Sequence, residues 1–380
     1  MIVHKNIVNP FIIIGYKGIE LFCDREKEVK TLLSNAQNGV NTTLISVRRM
    51  GKTGLIYHFF ETLKQQKVME SIFVDLYETQ TLKEFTEKFA SAIFQKFPER
   101  KTIGEKFKRF IMGFSPVISY DSLSGTPEVR FSFQDKVQCE QSLKSLFLFL
   151  EQQNIPLIIA FDEFQQIAYY QEKNVEAILR TIIQTLKNCN FIFSGSNRHV
   201  ISEMFTSSKR PFFASTRFLT LNPIEEKKYH HFIQSIFEKH KKNISSESID
   251  FILTWTRRHT FYTQMLCNRV FAKSGKGLIS LEFVKGVCKE VLDEQETVFL
   301  QYRNLLPAVQ WELLKAIAKE KEATALTRSS FLKQYHLTLS GSQRALSALI
   351  DKEMVYAEHL QDTTYYYVYD CFLSRWLEKL

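Results

Sequence analysis

Glycine is scarce in this chain, 13 of 380 residues, while phenylalanine is abundant at 33. That composition excludes a fibrous, disordered or all-β repeat protein. Long apolar runs are missing as well. No stretch reaches the roughly 18 apolar residues that a spanning helix needs, so no membrane segment is expected. The start, "MIVHKNIVNPFIIIGYKG", lacks an Ala-x-Ala cleavage site and does not read as a signal peptide. The six cysteines (Cys23, Cys139, Cys189, Cys267, Cys288 and Cys371) lie far apart with no C-x-x-C pair, as expected of buried thiols in a reducing cytoplasm. Basic blocks are absent too. The net charge of +9 is spread thinly: Lys and Arg exceed Asp and Glu by 28 to 23 in residues 1–225, 12 to 9 in 226–300 and 10 to 9 in 301–380. Such a balance permits a phosphate-rich partner without demanding one.

What is present is an alternation of short apolar runs and amphipathic helical stretches. "LFCDREKEVKTLLSNAQ" reads as a charged helix, Thr42 to Val47 as a strand, and "GLIYHFFETLKQQ" as a helix with Leu55, Ile56, Phe59, Phe60 and Leu63 on one face. "SIFVDLYE" (71–78), "IPLIIAFDEFQQI" (155–167) and "NFIFSGSN" (190–197) read as further strands separated by helices, and 116–133 as a hairpin around a Ser-Gly turn. Strands alternating with helices of this length predict an α/β core on a parallel sheet over 1–225. Residues 226–300 read as helical with no clear strand. Over 301–380, three helices precede a two-stranded ribbon, the pattern of a winged-helix domain.

The chemistry is concentrated in "LISVRRMGKTGLI". A phosphate loop works because backbone N–H groups at a helix start converge on an anion, helped by the helix dipole. Gly51 allows close backbone approach, Lys52 supplies charge to the β- and γ-phosphates, and the Thr53 hydroxyl is a ligand for Mg²⁺. Arg48, Arg49, Met50 and Gly54 complete the stretch. Ser46 stands where the first loop glycine belongs, and a serine there is expected to follow the sharp strand exit with some strain. About 110 residues further on, "LIIAFDEF" presents Asp162 and Glu163 at the end of a buried strand, where α/β sheets bind ligands. Asp162 is the expected holder of Mg²⁺ through its water shell, and Glu163 the group that orients the attacking water. Ser196 or Asn197, at the tip of the next strand, is in place to hydrogen-bond the γ-phosphate or that water.

The combination of "RRMGKT", "IIAFDEF", "SGSN" and a trailing winged helix resembles the archaeal-type ATPases of the AAA+/STAND group of P-loop NTPases. "FCDREKEV", "PVISYDSLSGTPEV", "RFLTLNPI" and "YDCFLSRWL" extend the resemblance over nearly the whole chain. It implies an AAA+-like parallel-sheet core (1–225), a helical lid (226–300) and a C-terminal winged helix (301–380). It also implies that Asp24, Arg25 and Glu26 lie near the base and ribose, and that Arg217 reaches a γ-phosphate from a neighbouring subunit. Arg48 and Arg49 match the family's arginine pair. Two departures stand out: Ser46-Val47 in place of a Gly-Pro, and "RRHTFYTQML" (257–266) in place of a Gly-Gly-x-Pro-like lid segment. His259 then either takes over the lid's nucleotide contact or packs between helices.

A winged helix can lay one helix in the DNA major groove. Here Ser340, Ser342, Gln343 and Arg344 belong to the candidate helix, with Arg328 and Lys333 as further cations. The wing, "LQDTTYYYVY", carries no Lys or Arg and reads as a packing or protein-contact surface. The expectation is therefore a cytoplasmic ATP- and Mg²⁺-binding ATPase, slow and regulatory. In it, nucleotide state controls domain packing and, through it, a protein partner or self-assembly. The alternative is a DNA-associated AAA+ ATPase of origin-binding or mobile-element type. A nucleotide-sensing scaffold without turnover is the third reading.

Overall fold

The computed structural model describes residues 9–98, 102–123 and 125–380. The chain falls into two compact units, Tyr16–Asn222 and a second formed by Pro223–Leu380 with the segment ending at Gly15.

In the first unit the elements run α1 (Glu26–Gln37), β1 (Thr42–Ile45), α2 (Lys52–Gln66), β2 (Glu70–Asp75), α3 (Leu82–Lys96), α4 (Thr102–Met112), β3 (Pro116–Tyr120), β4 (Pro127–Phe131), α5 (Lys136–Glu151), β5 (Leu157–Asp162), α6 (Val175–Ile183), β6 (Cys189–Ser194), α7 (Arg198–Thr206) and β7 (Arg217–Thr220). Five strands form one parallel sheet in the order β2-β5-β6-β1-β7. Each parallel neighbour needs a crossover, and the helices supply it. β5 is buried along its whole length, as its unbroken apolar run requires. The phenylalanines gather on this strand. Phe161 has its ring centroid 5.3 Å from Phe85, 5.8 Å from Phe89 and 6.2 Å from Phe191. Offset and tilted pairs of this kind add about 0.5–1.5 kcal/mol each beyond burial.

The expected hairpin is present as β3 and β4; Ser124 of its Ser-Gly turn lies outside the described residues. Its β4 edge is closed by a helix: the Val129 and Phe131 N–H groups donate to Ser91 Oγ (2.9 Å) and Glu87 Oε1 (2.7 Å) of α3. Side-chain acceptors thus satisfy strand donors that would otherwise template aggregation. Two helices, α4 and α7, were not read from the sequence. β7 adds a fifth strand where the alternation had been expected to stop, and β1 ends at Ile45 rather than Val47.

The second unit contains α8 (Glu226–Lys239), β8 (Asn243–Ile244), α9 (Ser246–Trp255), α10 (Thr260–Lys273), β9 (Leu278–Ile279), α11 (Leu281–Leu305), α12 (Ala308–Glu320), β10 (Ala323–Thr324), α13 (Ser329–Gln334), α14 (Leu339–Asp351), β11 (Val355–Leu360), β12 (Thr363–Val368) and α15 (Cys371–Leu377). β8 and β9 pair in parallel inside the stretch expected to be wholly helical. The winged helix has its antiparallel ribbon, β11 with β12, extended by β10 into three strands. α11 runs unbroken through residue 300, where the sequence reading divided lid from winged helix.

Two arginines fasten these segments together. Arg257, in the link between α9 and α10, donates to the Val368 carbonyl (3.1 Å) and lies over the Tyr367 ring (5.6 Å). From α15, Arg375 donates to the carbonyls of Trp255 (2.8 Å) and Thr254 (3.1 Å), satisfying acceptors that the end of α9 leaves open. Phe372 packs against Trp255 and Tyr262. The amino-terminal segment joins the same unit, with Phe11 packed on Phe237 and Asn9 donating to the Asn268 carbonyl. All six cysteines are free and buried; burial pushes the Cys139 thiol up to about 11 and those of Cys189 and Cys288 to about 12. No helix among the described residues is long and apolar enough to cross a membrane.

Candidate nucleotide site

β1 delivers the chain to the loop and α2 carries it away. The left-handed positions of the turn are Arg49 (φ 61°) and Gly51 (φ 97°), the latter capping α2. Ser46 is not among them, so the expected strain at that position does not arise. Its hydroxyl instead accepts the Lys52 ammonium at 3.3 Å while donating to the Val47 carbonyl at 2.7 Å. The serine that replaces the first glycine thus holds the loop lysine. Lys52 itself is buried, and burial is the main force lowering its pKa. Asp162 and Glu163 pull it back up, while Arg48 and Arg198 push it further down. An incoming phosphate chain would supply the negative charge this ammonium needs. Met50 is buried beneath the loop, and Arg48 and Arg49 are exposed.

Asp162 is the hub of the carboxylate side. It is buried, and Thr53 Oγ1 donates to its Oδ2 at 2.5 Å. Ser194, on the neighbouring strand β6, donates to Oδ1, which also accepts the Glu163 N–H at 3.1 Å. A threonine hydroxyl touching a carboxylate is an all-oxygen pair suited to a hard divalent cation. Among the described residues no group of three or more His, Cys, Asp or Glu gathers to hold a metal. The pair therefore fits Mg²⁺ only as part of a shell that nucleotide oxygens and water complete.

Glu163 adopts a left-handed backbone (φ 54°) that turns the chain out of β5. Its Oε2 accepts three hydrogen bonds: from Ser196 N–H (3.2 Å), Ser196 Oγ (2.7 Å) and Gln165 Nε2 (2.5 Å). Ser196 therefore meets Glu163. Asn197 does something else: its Oδ1 accepts the Val200 N–H at 3.2 Å and caps α7. Asp75, paired in register with Asp162, has its carboxyl pushed up by burial and then by the charges of Asp162 and Glu163, against its bond from the Tyr77 N–H.

Beside the phosphate-loop helix, Phe22 stacks on His58 of α2 at 4.3 Å and lies against Gly54. The segment that follows, Asp24 (φ 60°) and Arg25 (φ 80°), turns left-handed into Glu26 at the start of α1. Arg25 is buried and pairs with Glu28 at 2.9 Å. The structure therefore brings the "FCDRE" segment to the phosphate-loop helix. Arg217 is elsewhere. It pairs with Thr42, the first residue of β1, about 13 Å of strand from the loop. Parallel strands put their amino ends on one edge, so Arg217 is exposed at the edge opposite the loop of its own chain. In the second unit His259 is buried against Tyr262.

Three residues escaped sequence reasoning: Ser194, Gln165 and Arg198. Ser194 is the last residue of β6, so the apolar run that it closes was the available signal, while Arg198 is the first residue of α7, a helix that the sequence did not betray. Gln165 gave none, because its contact depends on a 3-10 turn, Phe164–Tyr169.

Residues 22–258 match the family described as an ATPase domain predominantly from Archaea, and residues 297–379 a probable winged helix domain. None of the curated proteins matches the chain in sequence. Among solved structures, a Walker-type ATPase of Pyrococcus abyssi is similar with TM-score 0.66 and 17% identity, covering 98% of this chain and 100% of that one. The ORC2 protein of Aeropyrum pernix, in ADPNP-ADP complexes, gives 0.58 and 15% over 98% and 96%. The ORC1 protein of Aeropyrum pernix in complex with DNA gives 0.50 and 13% over 95% and 93%. At these identities the likeness is one of fold.

Proposed function

The chain belongs to the ATPase family found predominantly in Archaea, a P-loop ATPase with a winged helix, and from that premise we propose that it is a nucleotide-controlled switch. ATP binds with Mg²⁺ through the loop residues Arg48 to Gly54, with Lys52 on the phosphates and Thr53 and Asp162 toward the cation. Asp24, Arg25 and Glu26 lie on the base side. Glu163, held by Ser196, orients the attacking water. Turnover is slow, and Arg217 contributes only if a second subunit presents it.

The observation that carries the switch is the Arg257–Arg375 fastening. It makes the helical segment and the winged helix one unit, so a shift of the helical segment with nucleotide state moves the winged helix as a body. The output is contact with a protein partner or self-assembly. Its surface charge supports this, since the last 80 residues carry 10 basic and 9 acidic side chains.

A DNA-associated ATPase is the second reading, favoured by the winged helix and the likeness to an ORC1 protein solved with DNA. The two separate in one experiment: steady-state ATP hydrolysis with and without duplex DNA. A switch turns over below about 1 s⁻¹, under the kinase range, and ignores DNA. Strong stimulation by DNA would select the alternative.

A further inference from the structure

Gln165 is 4% exposed, yet it carries a carboxamide. A buried amide has to be placed by its partners. Only one end of it is satisfied: Nε2 donates to Glu163, while Oε1 meets no donor among the described residues. The carboxylate fixes that orientation, because an amide oxygen turned toward Glu163 would be repelled. The space for the amide comes from Gly195, where a Cβ would overlap Gln165 Oε1 and crowd Ile201. Gly195 has an ordinary backbone conformation, so its lack of a side chain serves space and not a turn. The residue that admits Gln165 is flanked by Ser194, which holds Asp162, and Ser196, which holds Glu163.

We propose that Gln165, admitted by Gly195, is the positioning residue that fixes the Glu163 carboxylate for hydrolysis. With Oε2 occupied by Gln165 and Ser196, the rotation of the carboxylate is fixed and Oε1 is the oxygen presented to water. In hydrolysis the water oxygen bonds to the γ-phosphorus as the bond from phosphorus to the β-phosphate oxygen breaks. That oxygen keeps the electron pair on ADP, and both water protons leave with inorganic phosphate. Gln165 never touches the reacting atoms. Its contribution is the angle of Glu163, and a misplacement of about 1 Å costs on the order of 10²-fold in rate.

This inference rests on Glu163 acting in hydrolysis, and the experiment keeps the two apart. ATP turnover and ATP affinity are measured on the full chain for Gln165→Leu, Gly195→Ala, Glu163→Gln and Glu163→Gln/Gln165→Leu. The expected result is a kcat lowered about 10²-fold in Gln165→Leu with affinity unchanged. Gly195→Ala changes in the same direction, and the double variant is no slower than Glu163→Gln alone. Full turnover in Gln165→Leu beside an inactive Glu163→Gln would overturn the proposal and leave the hydrolysis reading standing. Full turnover in Glu163→Gln would overturn both. Loss of nucleotide affinity in both Gln165→Leu and Gly195→Ala would make Gln165 a residue of the fold and overturn its positioning role.

Discussion

Thr53 Oγ1 and Asp162 Oδ2 are 2.5 Å apart across 109 residues of sequence. That hydrogen bond ties the first turn of α2 to the end of β5, joining the phosphate side of the site to its carboxylate side. Parallel pairing produces it, since β5, β6 and β1 are neighbours that all end on one edge.

The contact predicts a metal-dependent phenotype. Thr53→Ala should weaken ATP binding by about tenfold or more in Mg²⁺, in line with loss of a charge-assisted interaction of about 1.5–3 kcal/mol. With the cation chelated, variant and wild type should bind alike. Calorimetry in both conditions decides it, and a loss that persists without metal would remove Thr53 from the cation shell.

Ser46→Gly restores the usual loop residue and tests what the serine does. Because Ser46 is not left-handed, glycine gains nothing in conformation and adds about 0.5–1 kcal/mol of unfolded-state entropy. It also loses the hydroxyl that holds Lys52. The expected outcome is a modest fall in melting temperature with ATP binding retained. A rise in stability would show that Ser46 strains the loop after all.

Much of this site is legible in the sequence. "LIIAFDEF" could only be a buried strand with carboxylates at its end, and a β-branched run before Gly51-Lys52-Thr53 fixed the loop. What was illegible has physical reasons. β7 has four residues, mostly exposed, and so no apolar run to betray it. α7 is nine residues whose start depends on the Asn197 cap, a role that competes with the contact expected of that side chain. The position of Arg217 relative to the loop of its own chain is set by strand register, which the order alone does not contain. Gln165 needed the empty space over Gly195, a tertiary fact.

The arginine fastening predicts a stability loss confined to one unit. Arg257→Ala leaves the Val368 carbonyl without its donor and removes a half-buried cation from the Tyr367 face. A cost of about 1.5–3 kcal/mol is expected, the range for losing a hydrogen bond to a charged group. Urea unfolding monitored separately in 16–222 and 223–380 checks it, and equal destabilisation of both, or of neither, would contradict the assignment.

DNA binding by the full chain should be weak. A wing without Lys or Arg and a near-neutral winged helix cannot supply the 6–10 phosphate contacts that give steep salt dependence. Affinity for duplex DNA is expected no tighter than about 10⁻⁵ M at physiological salt, within the non-specific range. Nanomolar binding with a steep salt slope would promote the DNA-associated reading.

The most direct test of the nucleotide site is ATP–Mg²⁺ binding by calorimetry in the wild type and in Lys52→Ala. Lys52 is the buried cation of the loop, held by Ser46 and drawn toward Asp162 and Glu163. Its removal should abolish measurable ATP binding while the folded core melts as before. Equal affinity in the two proteins would contradict the account at its centre.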